Sequence, residues 1–145
     1  MIYIMDKYNF YKQYHNHPTN VLIHRIFIPI IVLTSMILLK FIKKINIILI
    51  LFPFYLFYYF KLSINIGIFM MCYLLFFDTI ASLTHRFSSN KTKLFLYTIS
   101  LFILSWIAQF IGHYIEGKRP ALVDNLSQAF IDAPLFSMDY LLICE

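Results

Sequence analysis

The chain alternates long apolar runs with short polar breaks. Four runs stand out: "VLIHRIFIPIIVLTSMILL" over 21–39, "INIILILFPFYLFYYF" over 45–60, "SINIGIFMMCYLLFFDTIASL" over 63–83 and "LFLYTISLFILSWIAQFIG" over 94–112. A bilayer core about 30 Å thick takes about 20 helical residues at a rise of about 1.5 Å each. The first, third and fourth runs meet that length and are expected to be transmembrane helices. The second is short and carries Pro53, so it is expected to tilt, kink or re-enter. "KFIKK", "FKL" and "THRFSSNKTK" read as the polar turns between runs. Beyond Gly117 the pattern changes. Pro120 stands where a new helix can begin, and Leu122, Leu126, Ala129, Phe130 and Ala133 recur at helical spacing, with Asp124, Asn125, Gln128 and Asp132 between them. This predicts an amphipathic helix over about 120–132, lying on a membrane surface or covering a bundle. The expected fold is all-α: an integral membrane bundle of about four transmembrane helices with a C-terminal amphipathic helix, residues 1–145 forming one membrane domain.

Composition fixes the solvent. Apolar residues make up 61% and charged residues 13%, against roughly 45–50% and 25% in a soluble domain, so most of the chain is built to meet lipid. The net charge of +5 is spread in twos and threes between apolar runs, which suits lipid headgroups and gives no basic face for nucleic acid. No nucleic-acid partner is expected. Lys and Arg are too evenly divided between the two sides to set an orientation. The polar, aromatic start "DKYNFYKQYHNHPTN" does not read as a cleavable leader, and the first run is expected to act as a signal anchor. Tyr8, Tyr11 and Tyr14 suit the headgroup level. Cys72, inside an apolar run, and Cys144, at the end, form neither a disulfide framework nor a CxxC metal pattern.

All five histidines sit at the ends of apolar runs. With Pro18 in a first helical turn, Asn20 and His24 fall at i and i+4 on one face, with His15 just ahead of the helix. Gln109, His113 and Glu116 fall at i, i+4 and i+7, again on one face. Neutral imidazole is the commonest metal donor, and two histidines with a carboxylate suit non-haem iron while leaving positions open. With four spans, the start of the first run and the end of the fourth share a side, so His15, His24, His113 and Glu116 can meet. Asp78, Ser82 and His85 share a face at the end of the third run, on the opposite side if every run spans. The same residues also read without chemistry: the histidines as interfacial anchors or caps, Asp78 as a bond to a neighbouring helix, Trp106 as an interfacial ring, His17 as turn chemistry, and Glu116-Gly117-Lys118-Arg119 as a solvated helix end.

Two blocks, "YHNHPTNVLIHRIFIPII" and "WIAQFIGHYIEGKRPALVDNLSQAFIDAPLF", resemble the ends of the endoplasmic-reticulum 2-hydroxy fatty acid dioxygenase family. They cover about a third of the chain. The resemblance implies an integral membrane enzyme that uses Fe(II) and O2 to remove the carboxyl carbon of a 2-hydroxy fatty acid, the α-oxidation that handles 2-hydroxy acids from phytosphingosine breakdown. It implies His15, His24 and His113 as catalytic metal ligands, with His85 as a possible fourth. Glu116 is nominated as a ligand by spacing, and the resemblance does not carry it. Lys118 and Arg119 are expected to hold the substrate carboxylate, and the acyl tail to lie among the membrane helices. A non-catalytic membrane scaffold or lipid-binding bundle is the competing reading, and a histidine-lined transporter a third. The second and fourth runs offer little polar lining beyond Asn46, Thr98 and Ser100, which ranks the transporter last.

Overall fold

The computed structural model describes residues 15–42, 47–120 and 126–141, and among these every regular element is helical. Helix α1 runs Pro18–Leu39, α2 Ile47–Leu62, α3 Ile64–Phe87, α4 Lys91–Glu116 and α5 Leu126–Met138, followed by a 3-10 turn over Asp139–Leu141. Helices α1, α3 and α4 are long and apolar enough to cross a membrane. At 16 residues, α2 is the short element expected from its run, and it stays helical through Pro53. Large side chains such as Phe54, Phe57, Phe76 and Tyr97 are exposed, as a surface that meets lipid requires.

Local chemistry sets the ends. Pro18 opens α1 at the position where its missing N–H costs nothing. His17 caps the helix: its carbonyl accepts from Val21 N–H, and its Nδ1 accepts from Thr19 N–H at 3.2 Å. The expected turn role of His17 is what the structure shows. Ser63, extended at φ −164°, N-caps α3 by accepting from Ile66 N–H at 3.1 Å. Asn90 Oδ1 accepts from Lys93 N–H at 2.9 Å at the start of α4. Helix α4 ends at Gly117, whose φ of +71° is left-handed. There Lys118 N–H bonds to His113 O and Gly117 N–H to Tyr114 O, the paired closure that lets a helix end on glycine.

The chain groups into two compact units, one of residues up to Pro29 together with those from Ser105, the other Ile30–Leu104. In the second unit α2 and α3 are joined by Ser63 alone and pack along each other. Gly67 permits this, because a Cβ there would overlap the Phe60 ring. Tyr59, Leu62 and Met70 are buried beside that contact. Lys40 Nζ lies 2.6 Å from Asp78 Oδ1, so Asp78 has the structural role of pairing with a cation beyond its own helix. The hydroxyls of Thr34, Thr79 and Thr98 bond back to carbonyls of their own helices, which leaves none of these hydroxyl protons unmet in lipid.

The described part of the C-terminal helix runs Leu126–Met138, past its expected end near residue 132, and its expected first turns, with Leu122, Asp124 and Asn125, lie outside the described residues. Asp132 and Ser137 are as buried as Leu135, so over this stretch burial does not alternate between a wet and a dry face.

Candidate metal centre

Three histidines from the first unit converge. The 3.6-residue period of α1 places Asn20 and His24 on one buried face. The last turns of α4 do the same for Gln109 and His113, and His15 lies just ahead of α1. The three imidazoles are 5%, 3% and 5% exposed for His15, His24 and His113, and a ligand atom from each lies within 4.8 Å of the other two. Ring centroids are 4.2 Å apart for His15 and His24, 5.0 Å for His15 and His113, and 4.9 Å for His24 and His113.

The surroundings orient these rings. His24 Nδ1 is 3.0 Å from Asn20 O. A carbonyl there can only accept, so the proton sits on Nδ1 and the Nε2 lone pair is left for a cation. His113 Nδ1 is buried with no hydrogen-bond partner, and so is Gln109 Nε2 one turn earlier. The Phe136 ring of α5 packs 4.7 Å from His15 and 6.2 Å from His24, which walls the cluster with hydrocarbon. Gly112 lets α4 approach α1 at this level: a Cβ would overlap Asn20 Oδ1.

Glu116 Oε1 accepts from the backbone N–H of Asn16 at 2.7 Å, and Oε2 from Asn20 Nδ2 at 2.5 Å. Lys118 Nζ stands 3.7 Å from the same carboxylate. Arg119 is exposed in the turn after α4. Arg25 Nη2 lies 3.8 Å from Asp139 Oδ1, with its guanidinium 4.8 Å from the Tyr140 ring centroid. Trp106 lies among aromatic rings, 6.4 Å from both Phe110 and Phe130. His85 belongs to the other unit, where its ring meets Phe41 edge-on at 4.8 Å and its carbonyl accepts from Lys91 Nζ. The structure thus brings together His15, His24 and His113, and puts Glu116 on the backbone and amide of the segment that carries two of them.

These residues fit a divalent metal. The donor set is three imidazole nitrogens, one already oriented, one with an unmet buried nitrogen. Two nitrogens bound at about 2.0–2.1 Å are at most about 4.2 Å apart, so small side-chain movements bring the cluster to that spacing. Phe136 and Gly112 were not found from the sequence. Nothing local to Phe136 points to a site, whereas an isolated glycine inside an apolar helix is a packing signal.

Comparison with known proteins agrees with this chemistry. The family model described as "2-hydroxy-palmitic acid dioxygenase Mpo1-like" matches residues 1–143. The 2-hydroxy-palmitic acid dioxygenase MPO1 of Saccharomyces cerevisiae is 35% identical over 139 residues, covering 93% of this chain and 77% of that protein. That relative is by name an oxidoreductase. No solved structure matches the chain. With the match running over nearly its whole length, the chain belongs to the Mpo1-like 2-hydroxy-palmitic acid dioxygenase family.

Proposed function

We propose that the protein is an Fe(II)- and O2-dependent dioxygenase of the endoplasmic-reticulum membrane that shortens 2-hydroxy fatty acids by one carbon, in the breakdown of phytosphingosine. The observation that carries this reading is the buried trio His15, His24 and His113, with ligand atoms within 4.8 Å of one another, in a chain of this family. These three residues would hold the iron, which when bound supplies the oxygen chemistry that side chains lack and leaves positions open for the substrate's carboxylate and 2-hydroxyl.

The chain's own residues do the rest. The Asn20 carbonyl holds the His24 ring in one tautomer. Phe136 keeps water from the imidazoles. Gln109 Nε2, unmet and on the same helix face as His113, is a donor for a substrate oxygen. Lys118 and Arg119 attract the carboxylate at the helix end, Lys118 while sharing Glu116. The acyl tail lies against the apolar helices, where each CH2 taken from water contributes about 0.8 kcal/mol. The C-terminal helix covers the centre with its Phe136 turn. One membrane domain with four crossings fits this arrangement, since the start of α1 and the end of α4 meet.

Purified full-length protein given 2-hydroxypalmitate and O2 should consume oxygen and release pentadecanoic acid. His113→Ala should lower that rate by at least about 100-fold, because losing a ligand does more than losing a partner of a ligand, about 10–100-fold. A wild-type protein that carries iron yet consumes no O2 with this substrate, or full activity in His113→Ala, contradicts the reading.

A further inference from the structure

Glu116 has the spacing of a ligand and the contacts of something else. Its side chain is 4% exposed, and both carboxylate oxygens are engaged by the segment that leads into α1. Oε1 takes the backbone N–H of Asn16, the residue after His15, at 2.7 Å, and Oε2 takes the Asn20 side-chain amide at 2.5 Å. Asn20 in turn presents its carbonyl to His24 Nδ1 at 3.0 Å. Glu116 itself stands three residues after His113 on α4. One carboxylate therefore reaches all three imidazoles: His15 through the neighbouring peptide, His24 through Asn20, and His113 through its own helix. Hydrogen bonds to a carboxylate are about twice as strong as neutral ones, and two of them on one rigid side chain fix the segment they hold. Gly112 completes the arrangement by leaving room for the Asn20 amide against α4.

We infer that Glu116 is a positioning residue, a clasp that ties the His15 segment and the Asn20–His24 turn to α4 and so sets the spacing of the three imidazoles, and that it is not a metal ligand. The inference rests on the trio being a metal centre and deepens that reading. It makes a chemical distinction. A ligand or proton-transfer role needs the negative carboxylate at this position. A clasp needs two hydrogen-bonding atoms of the right shape, and the Glu116→Gln change keeps them. The side-chain carbonyl of the variant still accepts from Asn16 N–H. Its new amide donates to Asn20 Oδ1 once the Asn20 amide turns over, and Asn20 Oδ1 has no other partner to lose.

The test is Co(II) affinity of the purified full-length chain in detergent, by competition with a chelator and by the visible ligand-field bands of the bound ion. Wild type, Glu116→Gln, Glu116→Ala, Asn20→Ala and His113→Ala are compared, with helix content and thermal unfolding as folding controls. Glu116→Ala should weaken Co(II) binding about 10–100-fold and alter the bands, Asn20→Ala should act in the same direction, and Glu116→Gln should restore affinity to within about threefold of wild type. If Glu116→Gln loses as much as Glu116→Ala, the carboxylate charge itself is required and the clasp is wrong. If Glu116→Ala binds as wild type does while His113→Ala does not, the clasp is wrong and the metal centre stands. Should Glu116→Ala fail to fold, Asn20→Ala and Glu116→Gln carry the same comparison. A wild type that does not bind Co(II), or His113→Ala binding as tightly as wild type, overturns the metal centre and the clasp with it.

Discussion

At the scale of single residues, the centre depends on how closely two helices approach at Asn20 and Gly112. A methyl group at Gly112 would collide with Asn20 Oδ1, and that amide is already committed to Glu116. Overpacking of this kind costs typically about 1–3 kcal/mol. Gly112→Ala is therefore expected to lower the thermal unfolding temperature and weaken metal binding together, read by unfolding in detergent and by metal content. Loss of neither would mean that the approach is slack. The sequence made much of this face legible. Helical periodicity put Asn20 with His24 and Gln109 with His113, the place of His15 just ahead of the first helix let it join them, and resemblance assigned the three histidines to a metal. It did not show what Glu116 holds, because the Asn16 and Asn20 partners are about 100 residues away along the chain, beyond the reach of any spacing rule. Phe136 was hidden for the same reason.

At the scale of elements, hydrophobic run length was a good guide where the helix is long and a poor one where caps decide. The α1 helix starts three residues before its apolar run because Pro18 and His17 supply a start. Helix α5 runs past its expected end because Pro134 is accommodated within it. The short α2 invites a specific expectation. Asn16 and Glu116 are in direct contact, so an even number of crossings is expected between the start of α1 and the end of α4. Helices α1, α3 and α4 make three long candidates, and α2 is expected to make the fourth, its 16 residues giving about 24 Å at the usual rise. Single cysteines at Ile42 and Ser63, in a chain with Cys72 and Cys144 replaced, are expected to be labelled from opposite faces of sealed vesicles. Labelling from one face would show that α2 re-enters. The Lys40–Asp78 pair belongs to the same scale. Two opposite charges at 2.6 Å, partly shielded from solvent, hold their place mainly because each would be costly alone. Asp78→Ala and Lys40→Met are each expected to destabilise the protein, and the double variant by less than their sum. A coupling of about 0.5–3 kcal/mol in a double-mutant cycle, measured by unfolding in detergent, is the expected result. Strict additivity would show that the two charges stand independently.

At the scale of the whole molecule, a chain with 61% apolar residues gathers buried polar groups around the three histidines. His15, Asn20, His24, Gln109 and His113 are each 5% exposed or less, an arrangement that would be expensive in a scaffold and is what a metal centre needs. The most direct test is therefore the metal itself. Full-length protein purified without chelators should carry about one equivalent of iron per chain, the occupancy of one three-histidine centre, by elemental analysis. His15→Ala, His24→Ala and His113→Ala should each bring it close to zero while His85→Ala retains it. Wild-type protein free of transition metal after growth and reconstitution with Fe(II), or the three histidine variants retaining the wild-type content, would contradict the account.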